Sequence, residues 1–354
     1  MKYQTITIDN FRGISKLEIT DLQRINLLVG RNNCGKTSVL EAALLLAGMA
    51  SPQLSVLIHN SRNLPLGSDE HFGFMFKNLD FSIPIQLKGS FDSDERKLTV
   101  TPLYGLYQKR NGDNAIMGPS ATLSATSNMR IVEGINFDYV LKNGKQYHGE
   151  CHVKEKQVTT KPPFGYIENL NCLYFNPYSQ TIVNDKQLED YLVHKDLDSL
   201  ISILQEIEPR VHDIRMGAES RVFVDMGLGG KKALFPINIM GDGMRKIFTL
   251  LVTIAETQDG IVLIDELENG LHYSSVSLAW KAIITTCIKY NVQIIATTHS
   301  YECVKSFSNT YDTLDHEGDD IRLFRIDRDG EKHETFTYDP KVLRAGIEKG
   351  WEVR

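Results

Sequence analysis

The chain has 354 residues, of which 42% are hydrophobic and 24% charged, and these globular proportions argue against a disordered or fibrous protein. Its 39 basic and 45 acidic side chains give a net charge of −6, which excludes a globally basic nucleic-acid binder but not a local basic patch. The N-terminus carries no secretory signal, the apolar run at residues 39–50 is too short for a bilayer, and the five cysteines form no CxxC pair. We therefore expect a cytoplasmic protein with reduced thiols and no membrane partner.

The first fifty residues predict three strands and a helix. Alternating apolar residues at 6–8 and 17–19 predict a hairpin of two short strands. The run Ile25–Val29 is apolar except for Asn26, which is typical of a strand buried on both faces of an α/β sheet. A glycine-rich turn follows it, and residues 37–46 then predict a helix.

Residues 51–230 have a different sequence pattern, in which short strand-like segments are separated by turns rich in Gly, Asn, Asp and Pro. The predicted strands are residues 81–91, 97–103, 131–142 and 172–175. Asn143-Gly144 indicates a hairpin, and residues 115–128 have the composition of a loop. Apolar spacing over residues 185–207 predicts one or two amphipathic helices, for which packing within the domain is favoured over a partner-binding groove.

The last third returns to an α/β pattern. Its predicted elements are helices at 244–255, 274–288 and 301–307, strands at 261–264 and 292–296, and a hairpin across Asp329-Gly330. The sequence thus predicts a core built from residues 1–50 and 231–354, with residues 51–230 as a strand-rich and helical insertion within the same head.

The strongest motif runs from Gly30 to Thr37 and matches the phosphate-binding pattern G-x4-G-K-S/T between a predicted strand and helix. Its backbone N–H groups would surround the β- and γ-phosphates of ATP, and the helix N-terminus adds a positive dipole end. Lys36 would supply a charge and Thr37 a hydroxyl ligand for Mg²⁺. The candidate nucleotide-binding residues are Gly30, Asn32, Asn33, Cys34, Gly35, Lys36, Thr37 and Ser38.

Polar residues also follow two later strands of the predicted sheet. Asp265 and Glu266 come directly after an apolar strand, at the edge where ligands bind in open α/β folds. Asp265 would hold Mg²⁺, while Glu266 would orient and deprotonate the attacking water. The next strand ends at His299, which would hydrogen-bond the γ-phosphate or that water, unless it is only a surface or capping residue.

A fourth motif opens a predicted helix about twenty residues before the acidic strand. Gly241, Asp242 and Gly243 place backbone amides at a helix start, which makes a candidate second anion site. An ordinary turn followed by a helix cap would give the same pattern.

In this order the motifs resemble those of the ABC-type ATPases of the RecF, Rad50 and SMC group, which also begin with a strand ending like Asn10-Phe11-Arg12. The segments GDGMRK (241–246) and IDELENGLH (264–272) are more similar to the OLD-like AAA ATPases, which include many bacterial antiphage-defence ATPases. The resemblance implies an α/β P-loop NTPase with an ABC-type head and a mixed sheet core.

The resemblance also implies a homodimer or higher oligomer in which two heads face each other head to tail with ATP between them. Lys36 and Thr37 of one copy would bind the nucleotide, and the Gly241–Gly243 signature of the other would cover its γ-phosphate. Gly241 replaces the group's signature serine, so one hydroxyl contact is missing. In this group a glutamine that reaches Mg²⁺ follows a core strand, and Gln180 is the candidate here.

Glu268 and His272 stand where this group has its dimer-contact loop, and helix capping is the competing role for both. The chain lacks the long heptad run of a tethering protein, and the 55 residues after His299 are too few for a TOPRIM nuclease domain. We therefore expect an ATPase with slow turnover and no nuclease activity of its own.

The leading hypothesis is a dimeric ATP-driven switch in bacterial antiphage defence that senses a trigger and controls a separate effector or toxin. One alternative is a RecF-like DNA-binding repair factor that uses Lys154, Lys156 and Lys161, although the acidic balance ranks a protein partner above nucleic acid. Another is a nucleotide-regulated scaffold that barely hydrolyses ATP.

Overall fold

The computed structural model describes residues 2–64, 66, 69–92, 94–106, 130–154, 157–176, 197–217, 222–227, 231–314 and 319–350. Its strands are β1 (Tyr3–Phe11), β2 (Ile14–Thr20), β3 (Ile25–Val29), β4 (Ile85–Phe91), β5 (Glu95–Leu106), β6 (Arg130–Leu141), β7 (Gln146–Lys154), β8 (Gln157–Lys161), β9 (Cys172–Phe175), β10 (Asp213–Met216), β11 (Val222–Asp225), β12 (Leu234–Pro236), β13 (Ile261–Ile264), β14 (Gln293–Thr297), β15 (Ile321–Asp329) and β16 (Lys332–Tyr338). Its helices are α1 (Lys36–Ala47), α2 (Leu54–Asn60), α3 (Leu197–Ile207), α4 (Asp242–Glu256), α5 (Val276–Tyr290), α6 (Tyr301–Thr313) and α7 (Pro340–Glu348).

The core sheet has six strands in the order β16-β15-β3-β14-β13-β9. All neighbours from β15 to β9 pair in parallel, and β16 closes one edge in an antiparallel hairpin. β3, β13 and β14 are buried at every residue, which explains why their sequences are mainly apolar rather than alternating. Because these parallel strands end at one edge, the segments that follow them meet there.

The side chains of the core strands alternate between two hydrophobic layers. Ile261 and Leu263 pack on the side of α1, whereas Val262 and Ile264 pack on the side of α4, α5 and α6. Every residue of α1 except Thr37 is buried, because this helix lies between the core sheet and a second sheet. The P-loop helix is therefore fixed on both sides by packing.

The second sheet is antiparallel and has seven strands in the order β2-β1-β4-β5-β6-β7-β8. It begins with the predicted N-terminal hairpin, in which Ile6 faces Ile19 and Ile8 faces Leu17. β4 then pairs with β1, so strands from residues 85–161 extend a sheet that starts in the first twenty residues. A small third sheet, β10-β11-β12, was not predicted from the sequence, and neither was α7.

The α/β fold class is confirmed by this topology. The division into residues 1–50, 51–230 and 231–354 stays a prediction, although β9 from the middle segment hydrogen-bonds with β13 inside the core sheet. The predicted loop at 115–128 lies outside the described residues, as does most of the helical stretch before α3. No helix in the described ranges is both long and apolar enough to cross a membrane.

Candidate nucleotide-binding site

The P-loop turn between β3 and α1 requires both glycines of its pattern. Gly30 has φ 141°, and a Cβ there would lie 2.3 Å from the carbonyl oxygen of Ile326. Gly35 has φ 103° and precedes the first residue of α1. Because left-handed backbone and backbone-to-backbone contact exclude a side chain, the loop keeps this shape only with glycine at these positions.

Lys36 lies folded against its own loop. Its ammonium donates to the carbonyl oxygens of Gly30 at 2.8 Å and Arg31 at 3.1 Å, and the side chain is buried. Burial lowers the pKa of Lys36. Cys34 is buried 3.8 Å from the ammonium, in agreement with a small packed side chain at this position. A phosphate in the loop would offer Lys36 an anionic partner in place of these neutral carbonyls.

Asp265 joins the P-loop to two core strands. One oxygen of its carboxylate, Oδ1, accepts a hydrogen bond from Thr37 Oγ1 at 3.2 Å and another from Thr297 Oγ1 at 2.6 Å. Asp265 is buried at the carboxyl end of β13, and its amide donates to Phe175 at the end of β9. The two predicted metal ligands Thr37 and Asp265 are thus brought together.

Glu266 has the left-handed backbone conformation, with φ 50°, which costs about 1–3 kcal/mol for a residue other than glycine. Its amide donates to Thr297 Oγ1 at 2.9 Å. Its carbonyl oxygen accepts from the ammonium of Lys246 at 3.2 Å. Two side chains from other elements therefore hold the backbone of this residue in place.

Sequence reasoning missed both Thr297 and Lys246. Thr297 is the last residue of β14 and lies two positions before His299, the residue of this segment that the sequence predicted to act on the nucleotide. Lys246 is a buried cation on a helix whose neighbouring positions, Ile247 and Phe248, belong to the core. Two sequence signals could have identified them. Thr297 is a polar residue at the end of a mainly apolar strand, and Lys246 is a cation on the buried side of a helix.

His299 lies just after β14, and its side chain is exposed. Its backbone amide donates to Glu268 Oε1 at 2.8 Å, so the loop after β13 contacts the segment after β14. Ser300 then caps α6 by accepting the amide of Cys303 at 3.1 Å. His272 accepts the amide of Ser274 and caps a short 3₁₀ turn, which is the capping role considered for it.

The signature segment caps α4 and faces solvent. Gly241 has φ −55° and accepts the amide of Arg245 at 3.2 Å. A Cβ at Gly241 would meet nothing within 4 Å, and one at Gly243 would lie 3.4 Å from the carbonyl oxygen of Gly270. Asp242 binds the Arg245 guanidinium at 2.9 Å. The signature therefore borders the loop after β13 and has room for a further ligand.

A second cation also lies beside the P-loop helix. Arg62 follows α2 and places Nη2 3.4 Å from Ser38 Oγ, and its Nε is 2.6 Å from the fully buried Glu41. Arg12, from the predicted N-terminal motif, binds the same carboxylate, with its Nε 2.5 Å from Oε2. No local sequence pattern predicts this cluster, because its members are separated by 21 residues or more.

The donors at this edge suit Mg²⁺ as well as ATP. The hydroxyl of Thr37 and the carboxylate of Asp265 are hard oxygen ligands on adjacent elements, and Mg²⁺ is commonly held by one or two protein oxygens together with phosphates and water. The bound ion would neutralise charge on the phosphates. The third predicted ligand, Gln180, lies outside the described residues.

The sheet order, the P-loop and the acidic pair define a P-loop ATPase fold of the α/β class. Residues 1–170 match the family model described as "AAA ATPase domain". Residues 164–304 match the model described as "AAA domain, putative AbiEii toxin, Type IV TA system". Together with the motif order, these matches support an ABC-type ATPase similar to the RecF, Rad50 and SMC group.

Two curated relatives and one solved structure are among the proteins that this chain matches. An "ATP/GTP phosphatase" of Helicobacter pylori is 23% identical over 328 residues, which cover 85% of this chain and 86% of that protein. The "DNA replication and repair protein RecF" of Geotalea uraniireducens is 37% identical over 70 residues, 20% of this chain and 18% of that protein. The SMC head bound to the C-winged helix domain of ScpA aligns with 98% of this chain and 100% of that chain at 11% identity and a TM-score of 0.49.

Proposed function

We propose that this chain binds and hydrolyses ATP and acts as a dimeric switch. The observation that carries the proposal is a pair of hydrogen bonds to one carboxylate oxygen of Asp265. One comes from Thr37 of the P-loop and the other from Thr297 of β14. This arrangement joins the phosphate-binding loop to the strand ends that carry Glu266 and His299. The relative named "ATP/GTP phosphatase", which covers most of the chain, supports a nucleotide-hydrolysing activity.

Each residue at the sheet edge has a distinct role in this proposal. Lys36 leaves the carbonyl oxygens of its own loop and binds the phosphates, while Thr37 and Asp265 hold the magnesium ion that accompanies ATP. Glu266 orients the attacking water and takes its proton. His299, exposed at the end of β14, donates a hydrogen bond to the γ-phosphate or to the water.

The position of the signature supports the proposed dimer. Gly241 and Gly243 have open space around them at the start of α4, and the amides there favour an anion. In the proposed dimer that anion is the γ-phosphate of ATP bound to the other copy. ATP binding then closes the dimer, and hydrolysis opens it.

We further propose that the switch is the ATPase component of a bacterial antiphage defence system, placed in the cytoplasm, that controls a separate effector or toxin. The similarity of residues 241–246 and 264–272 to OLD-like ATPases supports this role. The description of the family model for residues 164–304 names a toxin–antitoxin system, which supports an effector partner.

The test is ATP turnover and ATP-dependent dimerisation of wild type, Lys36→Ala and Glu266→Gln. Lys36→Ala is expected to weaken ATP binding, whereas Glu266→Gln is expected to spare binding, slow hydrolysis at least about 100-fold and accumulate a closed dimer in light scattering. Glu334→Gln, a surface change on the β15–β16 hairpin, is the control and should behave as wild type. Undiminished hydrolysis in both site variants contradicts the proposal. If wild type binds ATP tightly but does not hydrolyse it, the result favours the alternative of a nucleotide-regulated scaffold.

The RecF-like alternative rests on the short match to RecF and on three lysines of the insertion. Lys161 is paired with Glu150 at 2.6 Å, so its charge is already partly neutralised. Lys156 lies outside the described residues. ATP-dependent binding of duplex DNA that weakens steeply between 50 and about 200 mM salt would favour this alternative.

A further inference from the structure

Lys246 is a buried cation whose hydrogen-bond acceptors are backbone carbonyl groups. It lies in the second turn of α4 with 9% of its surface exposed. Its ammonium donates to the carbonyl oxygen of Asn269 at 2.5 Å and to that of Glu266 at 3.2 Å. Burial lowers the pKa of Lys246 to about 8. A charged group kept at this position needs an explanation beyond packing, because an apolar side chain would avoid the desolvation.

The two acceptors lie at the ends of one short turn after β13. Glu266 begins the turn and Asn269 ends it, and the amide of Asn269 also donates to the carbonyl of Glu266 at 3.0 Å. Thr297 holds the amide of Glu266 from the opposite side. The left-handed backbone of Glu266 is thus fixed by β14 through Thr297 and by α4 through Lys246.

The same helix carries the signature at its start. Gly241 caps α4 and accepts the amide of Arg245, the residue immediately before Lys246. The distance along the helix from Gly241 to Lys246 is under two turns, so a displacement of the helix start is carried to the ammonium. The exposed signature and the backbone of the proposed hydrolytic residue are therefore connected through one side chain.

We propose that Lys246 is a positioning residue through which contact at the signature Gly241–Gly243 sets the backbone of Glu266. This inference rests on the proposed function, because both ends of the connection act on ATP. In the proposed dimer each signature covers the nucleotide of the other copy, while each Glu266 acts on its own nucleotide. Lys246 then transmits the occupancy of one ATP site to the hydrolytic group of the other, and hydrolysis becomes cooperative in ATP.

The test compares wild type, Lys246→Met and Lys246→Arg in steady-state ATP hydrolysis, with the midpoint of thermal unfolding checked for each variant. Methionine keeps the length and apolar stem but removes the donor, whereas arginine keeps a charged donor. Lys246→Met is expected to lower kcat at least tenfold, to change the ATP concentration at half-maximal rate less than twofold, and to bring the Hill coefficient to about 1. Lys246→Arg is expected to recover most of the kcat and the cooperativity.

The matched control is Lys281→Met, which removes an exposed lysine paired with Glu206 on the surface. It should leave kcat and the Hill coefficient unchanged. If Lys246→Met also leaves both unchanged, or if it lowers them and arginine recovers neither, the inference is overturned while the proposed function stands. If wild type does not hydrolyse ATP, the proposed function fails first and the inference fails with it.

A pH profile provides a second measurement in case Lys246→Met does not fold. The titratable groups that interact with the ammonium are the carboxylates of Glu266 and Glu268 and the Cys303 thiol on α6. Burial raises the pKa of the Cys303 thiol to about 12, so the thiol is neutral near pH 8. Wild-type kcat should fall as the pH rises through about 8, because hydrogen bonds from a neutral amine are weaker than those from an ammonium. The Lys246→Arg profile should lack this fall, since guanidinium does not titrate there. Identical profiles overturn the inference.

Discussion

Thr297 and Asp265 share a hydrogen bond of 2.6 Å between the hydroxyl of one and the carboxylate of the other. The same hydroxyl accepts the amide of Glu266 at 2.9 Å. One side chain at the end of β14 therefore orders both acidic residues at the end of β13. Asp265 also accepts a hydrogen bond from Thr37, so a chain of hydrogen bonds connects β14 through Asp265 to the P-loop.

Thr297→Val should reduce both stability and turnover. Valine keeps the shape of threonine but leaves the amide of Glu266 without its acceptor and removes one of the two hydroxyl donors to Asp265 Oδ1, in a buried site. Leaving buried groups unsatisfied costs about 1–3 kcal/mol, so we expect the free energy of unfolding to fall by about that amount in urea titrations. ATP hydrolysis should fall more than ATP binding, because Lys36 and the loop are untouched.

Thr297→Ser is the matched control for this prediction, since it keeps the hydroxyl and removes only a methyl group. It should retain most of the turnover. Equal loss of turnover in the valine and serine variants would show that packing, and not the hydroxyl, explains the effect.

Glu41→Gln should destabilise the protein strongly. Glu41 is fully buried in α1 and its carboxylate binds both Arg12 and Arg62. Removing its charge leaves two guanidinium groups without an anion beneath the P-loop helix, and breaking a buried ion pair in this way costs about 3–5 kcal/mol. The measurement is the free energy of unfolding by denaturant titration.

The control for Glu41 is Glu95→Gln, because Glu95 also meets two cations, Lys88 and Lys97, but lies near solvent. Surface pairs contribute about 0.2–1 kcal/mol each, so this variant should lose far less stability. Similar losses in both variants would contradict the assignment of the Glu41 cluster as a buried network.

Gly241→Ser should strengthen ATP-dependent dimerisation and raise turnover at least about twofold. A Cβ at Gly241 meets nothing within 4 Å, and φ −55° suits any residue, so serine fits without strain. The added hydroxyl restores the contact that the signature of the resembled group makes with the γ-phosphate. Gly241→Ala adds the carbon alone and should behave as wild type; an equal gain in both variants would rule out the hydroxyl as the cause.

Glu150→Gln should lower stability at neutral pH but not in strong acid. On β7 the carboxylate of Glu150 binds Lys161 at 2.6 Å, His152 at 2.8 Å and His148 at 3.3 Å. The hydrogen bonds from Lys161 and His152 lower the pKa of Glu150 from 4.5 to about 2. Because the pKa of Glu150 is lower in the folded than in the unfolded chain, its ionised form stabilises the fold. This stabilisation is present above pH 4.5 and is lost as the pH falls towards 2.

The measurement is the difference in Tm between wild type and Glu150→Gln at pH 7 and at about pH 2. The difference should be present at the first pH and absent at the second. Asp138→Asn, which removes only a contact to His148, is the control and should give a smaller difference at pH 7. A constant difference at both pH values would exclude ionisation of Glu150 as its origin.

The elements of the core could be predicted because their signals are local. The buried strand before the P-loop, the helix after it and the strand before Asp265 each carry a pattern in consecutive residues. The N-terminal hairpin also followed from simple alternation. The small sheet β10-β11-β12 was missed because its strands have three or four residues and none is a run of four aliphatic residues like β13.

By itself the sequence predicted which residues bind phosphate and which carboxylates act on water, because these motifs depend on residue type and on spacing over a few positions. Only the tertiary structure decided what holds them. Thr297, Lys246 and Glu41 act through residues 20 to 32 positions away or across separate elements, and their hydrogen bonds depend on how strands and helices pack.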